Sequence, residues 1–241
     1  MYESIDGHER LVVMIKECFC KIGILGIFIA TIACLHAADL KLKTADQAAP
    51  AEISEPIKAL LSSRSIALAD GDKTVLQFWP VKEVSLKSKP SSPASALDSV
   101  AEATLLGAVS VQGTGLKDYK DNDISKGVYT ARFVLQPQNG DHLGTAEFNY
   151  FIALVGAADD KQPATFTSYG PLVKASGKQT SSGHPLVMSL RPVAEAPGDN
   201  PTLSEPASEH KAIRLKLPGK ADGAKADLPF DWVYEGHGHI Q

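Results

Sequence analysis

Hydrophobic and polar positions alternate through most of the second half of this chain. In "VYTARFVLQ", residues 128–136, Tyr129, Ala131, Phe133 and Leu135 share one face, and Thr130 and Arg132 take the other. That period of two predicts a half-buried strand. "AIRLKL" repeats it, with Ile213, Leu215 and Leu217 inward and Arg214 and Lys216 outward; "PFDWVYEG" does so with Phe230, Trp232 and Tyr234. "FNYFIALVGA", residues 148–157, is apolar at both parities and predicts a central strand covered on both sides. "ATLLGAVSV" and "HPLVMSLRPV" add two further strands. Upstream, Asp70-Gly71 between the apolar runs Ile66–Leu68 and Val75–Trp79 predicts a tight hairpin. Only "SEPIKALLSSR" reads as helix, with Ser54 as cap, Pro56 in the first turn, and Ile57, Leu60 and Leu61 on one face.

Short strands separated by turns predict an all-β domain over residues 54–241, mainly an antiparallel β-sandwich, immunoglobulin-like or similar, with one short N-terminal helix. Tyr129, two residues past Gly127 at a strand start, is placed to act as a corner tyrosine. Residues 39–53, Ala-rich and polar with Pro50, predict a flexible tether. Residues 86–98, 194–210 and 219–227 predict long polar loops.

The N-terminus follows another pattern. "IGILGIFIATIACL", residues 22–35, is uncharged and apolar, but at 14 residues it falls short of the roughly 20 that a span requires. Lys16 and Lys21 precede it and "HAAD" follows, so residues 1–38 predict a secretory signal, cleaved after Ala37 or Ala38. Glu3, Asp6 and Glu9 put acid where such a signal carries base, and Met14 is the better start. Cys34, closing "TIAC", offers the alternative of a lipidated N-terminus.

All three cysteines lie in this leader, so a mature chain is thiol-free: no disulfide, thiolate metal site or thiol catalysis. Removing residues 1–38 takes away four acids and three bases and moves the formal charge from −4 to −3. Neither this charge nor a pI near 6.0 gives the basic footprint of a nucleic-acid binder.

Candidate chemistry concentrates in loops. "LQPQNGDHLGTAEF" sets Asp141 and His142 beside the Asn139-Gly140 turn; His184 in "SSGHP" and His237 and His239 in "GHGH" also sit among glycines. Four imidazoles gathered at one end of a sandwich would suit copper or zinc. The plainer expectation is a structured turn in which Asp141 and His142 bond to the backbone. "DYKDND" carries calcium-type oxygens but not the calcium-loop spacing, and predicts a solvated turn. Trp79 before Pro80 is a candidate for sugar stacking, although a Trp in an apolar strand is more commonly core. No G-x-S-x-G elbow, phosphate loop or dinucleotide fingerprint occurs.

"KGVYTARFVLQPQNGDHLGTAEF", with "TLLGAV" before it and "SGHP" after it, resembles a group of exported proteins of no known activity, frequent in planctomycete-type bacteria. The likeness covers roughly residues 54–193. It implies an exported β-rich domain, and it places Asp141, His142 and His184 inside the matching motifs.

The expectation is therefore an exported cell-envelope protein without enzymatic activity or cofactor. It would bind a protein or glycan partner and touch the membrane only through its leader or a lipid anchor. The binding candidates are Asp141, His142, His184 and Trp79. The alternative is a metal-binding protein or metalloenzyme using His142, His184, His237 and His239 with copper or zinc. A hydrolase with an acid pair invisible in sequence is a third reading.

Overall fold

The structure, a computed structural model, describes residues 40–236, except for the side chain of Asp141. The expected leader with Cys34, and His237 and His239, lie outside the described residues. Eleven strands follow in chain order: β1 (Leu40–Asp46), β2 (Arg64–Asp70), β3 (Lys73–Pro80), β4 (Val84–Ser85), β5 (Leu105–Val111), β6 (Gly127–Leu135), β7 (Tyr150–Gly156), β8 (Val187–Arg191), β9 (Thr202–Ala207), β10 (His210–Ala221) and β11 (Ala224–Glu235). They form one sheet in the order β1-β2-β3-β5-β6-β7-β8-β11-β10-β4, with β9 also paired to β10. All pairings are antiparallel except β10 with β4.

The sheet curls into a half-barrel. Phe78 on β3 and Trp232 on β11 stand far apart in the strand order, yet their rings meet edge to face with centroids 5.1 Å apart. Such a pair contributes about 0.5–1.5 kcal/mol beyond its buried area. The curl encloses the larger core, where the inward faces read from the sequence converge: Tyr129, Ala131 and Phe133 from β6, Ile213, Leu215 and Leu217 from β10, and Phe230, Trp232 and Tyr234 from β11. Tyr129 donates its hydroxyl to the Ser125 carbonyl at 2.7 Å, four residues upstream, which is the corner geometry expected of it.

β7 is covered on both sides, as its unbroken apolar run predicts. Ile152 and Leu154 face the main core, while Phe151, Ala153 and Val155 face a second one. Its cover is the connection from β7 to β8, which contains a helix absent from the sequence reading, α2 (Tyr169–Ser176). The first helix, α1 (Glu55–Lys58), is one turn long and buries Ile57. Leu60 does not share that buried face; it is 42% exposed. Ser54 stands at the cap position but directs its hydroxyl to the Lys161 carbonyl at 2.7 Å. Among the described residues no helix is long and apolar enough to cross a membrane.

Three segments differ from the loops and tether expected of them. Residues 40–46 pair with β2 along their whole length and are a strand, not a tether. Residues 202–207, inside the expected loop 194–210, form β9. Residues 219–227 carry the β10–β11 hairpin, which turns at Asp222 and Gly223 with φ of +49° and +81°. Two positive φ angles are the demand of a type I′ turn, which Asp-Gly meets at low cost. Residues 86–98 remain a loop, tightened by a 3₁₀ turn at Pro93–Ser95 and leading into another at Leu97–Ser99.

Candidate functional site

Two places deserve chemistry: a cleft on the outer face of β6 and β7, and a groove where the curled sheet stops short of closing.

The outer cleft forms because three connections converge over β6 and β7. The β6–β7 loop turns at Asn139-Gly140, where Gly140 has φ +54° and opens a 3₁₀ turn, Gly140–His142. Thr145 fastens the loop by donating its hydroxyl to the His142 carbonyl at 2.9 Å, and Gln136 Nε2 donates to that same hydroxyl oxygen at 3.1 Å. The β5–β6 turn contributes Tyr119, whose hydroxyl donates to the Thr145 carbonyl at 2.6 Å. The approach to β8 contributes His184. His142 and His184, 42 residues apart in sequence, thus line one cavity of about 30 Å³, together with Gln136, Tyr119, Lys120 and Tyr169. That volume suits one water-sized occupant.

The His184 ring is oriented. Its Nδ1 lies 3.1 Å from the Pro185 carbonyl, which only accepts, so Nδ1 carries the proton and the neutral ring presents Nε2 as a lone pair. Burial pushes the His184 pKa down, the Pro185 hydrogen bond opposes this, and Lys120 and His142 add to the lowering. Gln136 has a different peculiarity: its Oε1 is buried and accepts no hydrogen bond. An acceptor stripped of water in this way costs about 1–3 kcal/mol.

The sequence candidates divide clearly. His142 and His184 are brought together. Asp141 shares the same turn, but its side chain lies outside the description. Trp79 is corrected: it is 1% exposed, with its indole N–H donated to the Gln47 carbonyl at 2.8 Å, and it offers no face to a sugar. The acidic turn is structural. Asp118, 3% exposed, accepts the backbone N–H groups of Lys120 and Asn122 at 2.8 Å each, and Lys117 pairs with Asp123 at 2.7 Å. Among the described residues no group of three His, Cys, Asp or Glu side chains is placed to hold a metal.

The groove was not legible in the sequence. β1 and β9 each pair on one side only, and their Cα atoms come within 8 Å of each other without pairing. Arg64 spans the seam, donating through Nη2 to Asn200 Oδ1 at 2.9 Å and to Thr44 Oγ1 at 3.5 Å. Beside it lies a groove of about 540 Å³, with Ile66, Val81 and Leu217 in its lining and Arg64, Lys82 and Lys216 among its cations. Asp199 and Asp227 supply the opposite sign, 2.9 and 3.5 Å from the Lys216 ammonium. The Asp199 hydrogen bond raises the Lys216 pKa above its ordinary value, and Lys216 in turn lowers that of Asp199.

No family model, curated protein or solved structure matches this chain.

A charged group outside both sites also escaped the sequence. Arg132, read as an outward residue of β6, is 1% exposed and bonded to Asp160, itself 0% exposed. The outward face of β6 is an interior here, because the β7–β8 connection lies over it.

Proposed function

We propose that this is an exported, non-enzymatic binding module of the cell envelope, a sandwich-like half-barrel that takes an extended segment of a partner protein into the groove beside the point where β1 and β9 approach each other. The observation that carries the reading is the groove. Its volume of about 540 Å³ lies in the range of ligand sites, roughly 300–1,000 Å³. Its lining combines apolar residues with charges of both signs.

A protein segment is favoured over a glycan by the edge strand at the groove. β1 pairs on one side only and contributes Thr44 to the lining, and an unpaired strand edge is the template for strand addition. Mixed charge also matches a peptide better than a polymer of one sign. Pro206 on β9 and Lys41 and Lys43 on β1 are residues that discourage indiscriminate edge pairing. Export is supported by the leader pattern of residues 14–38 and by the absence of cysteine after Cys34.

Selection of the purified domain against a displayed random-peptide library, with a glycan array in parallel, tests the reading. Enriched peptides that lose binding to Arg64→Ala and Lys216→Ala variants support it. Binding confined to glycans, or peptides indifferent to both substitutions, contradicts it.

A further inference from the structure

The outer cleft has the makings of a metal site of its own, separate from the groove. We propose that His142 and His184 bind one late divalent transition ion, with Gln136 Oε1 supplying an oxygen directly or through a water on the ion.

Four observations converge on this. His142 and His184 line the same cavity of about 30 Å³, which leaves room for a single small occupant. His184 Nδ1 is engaged by the Pro185 carbonyl at 3.1 Å, the arrangement that fixes a ligating imidazole by its far nitrogen and leaves Nε2 as the donor. Gln136 is among the residues that line the cavity, its Oε1 is buried without a hydrogen-bond partner, and its amide nitrogen is tied to Thr145 Oγ1 at 3.1 Å, so the group is held and its oxygen is unused. Finally, the loop carrying His142 is fastened from both sides, by the Thr145 hydroxyl and by Tyr119. Two imidazole nitrogens and a carbonyl-type oxygen suit copper(II) or zinc, and suit magnesium or calcium poorly.

One neighbour opposes the ion. Lys120 lines the cavity, and its charge acts on His184; Asp118, two residues away, acts in the opposite sense. Removing the ammonium should therefore tighten binding, a result that a purely structural loop would not give.

The experiment uses the thiol-free mature chain that begins after Ala38, without an affinity tag, with Cu²⁺ alone and Zn²⁺ alone as probes. Calorimetric titration should find one ion per chain at the cleft, and the copper(II) spin-resonance spectrum should show two imidazole nitrogens. His142→Ala and His184→Ala should each abolish this binding. Gln136→Leu should weaken it about 10- to 100-fold while leaving the folded spectrum intact. Lys120→Ala should strengthen it several-fold. A variant carrying His237→Ala and His239→Ala separates the C-terminal pair. Cleft binding that survives in this variant supports the proposal. It is overturned by binding lost there yet retained in His142→Ala and His184→Ala, or by no stoichiometric ion in the wild-type chain.

Discussion

Arg132 and Asp160 form a two-pronged ion pair inside the protein, with Nε to Oδ2 at 2.6 Å and Nη2 to Oδ1 at 2.9 Å. The other guanidinium hydrogens go to the carbonyls of Ala103, Pro163 and Gln162 at 2.9–3.1 Å, and Thr130 donates its hydroxyl to Asp160 Oδ2. All five donors are thereby used. The Phe166 ring lies under the guanidinium at 5.2 Å. The pair fastens residues 160–166 to β6 and so holds the cover over the second core.

Breaking this pair from one side leaves a buried charge without its partner. Arg132→Met or Asp160→Leu alone should each destabilise the domain by about 3–5 kcal/mol. The double replacement should cost less than the sum, because no charge remains buried. Urea unfolding of the three variants measures this, and additive losses would contradict it.

The Tyr129 hydroxyl bonds to the Ser125 carbonyl at the entry to β6. Tyr129→Phe keeps the ring in the core and removes only that bond, so it should lower stability by about 0.5–1.5 kcal/mol. A change of midpoint without a change of denaturant slope is the expected signature.

Tyr150 predicts a loss of stability in strong base. Burial, then the hydrogen bond to Asp98, pushes its phenol up to about 12. The unfolded value is about 10. A group whose folded pKa is raised contributes stability fully present below pH 10 and lost as the pH climbs towards 12. Tyr234, pushed to about 12 by burial, Glu235 and Glu205, acts in the same direction. Tyr150→Phe should therefore flatten part of the decline of melting temperature between pH 10 and 12, while Tyr234 preserves the rest. An unaltered decline would show that Tyr150 titrates normally.

The strands that face the main core were the readable part of this fold. β6, β7, β10 and β11 declare themselves because one or both faces are buried and alternation follows directly. β1 and β9 escaped because each lies at an edge. "LKLKTAD" keeps Leu40 and Leu42 at period two, but its lysines and the Ala/Pro stretch after it resemble a tether. "TLSEPA" is polar and holds a proline that edge strands tolerate. Helix α2 is short, with Gly170 and Pro171 in its first turn. The Asp222-Gly223 turn was visible as an Asp-Gly pair but lay among polar residues that suggested a loop. The meeting of His142 with His184, and of Arg132 with Asp160, depends on how connections cross the sheet, and no local pattern encodes it.

Export makes its own prediction. Mass spectrometry of protein taken from the envelope should find a mature N-terminus after Ala37 or Ala38; a lipidated Cys34 would move the start and add the mass of acyl chains. Protein that retains Met1 inside the cell would contradict the exported assignment.

The central claim is that an extended peptide occupies the groove lined by Arg64, Ile66, Val81 and Lys216, and amide hydrogen exchange tests it most directly. With a library-selected peptide bound, the account predicts slowed exchange at amides of β1 and of the groove-lining residues around Arg64, Lys82 and Lys216, with β6 and β7 unchanged. Protection elsewhere, with the groove exchanging as in the free protein, would contradict it.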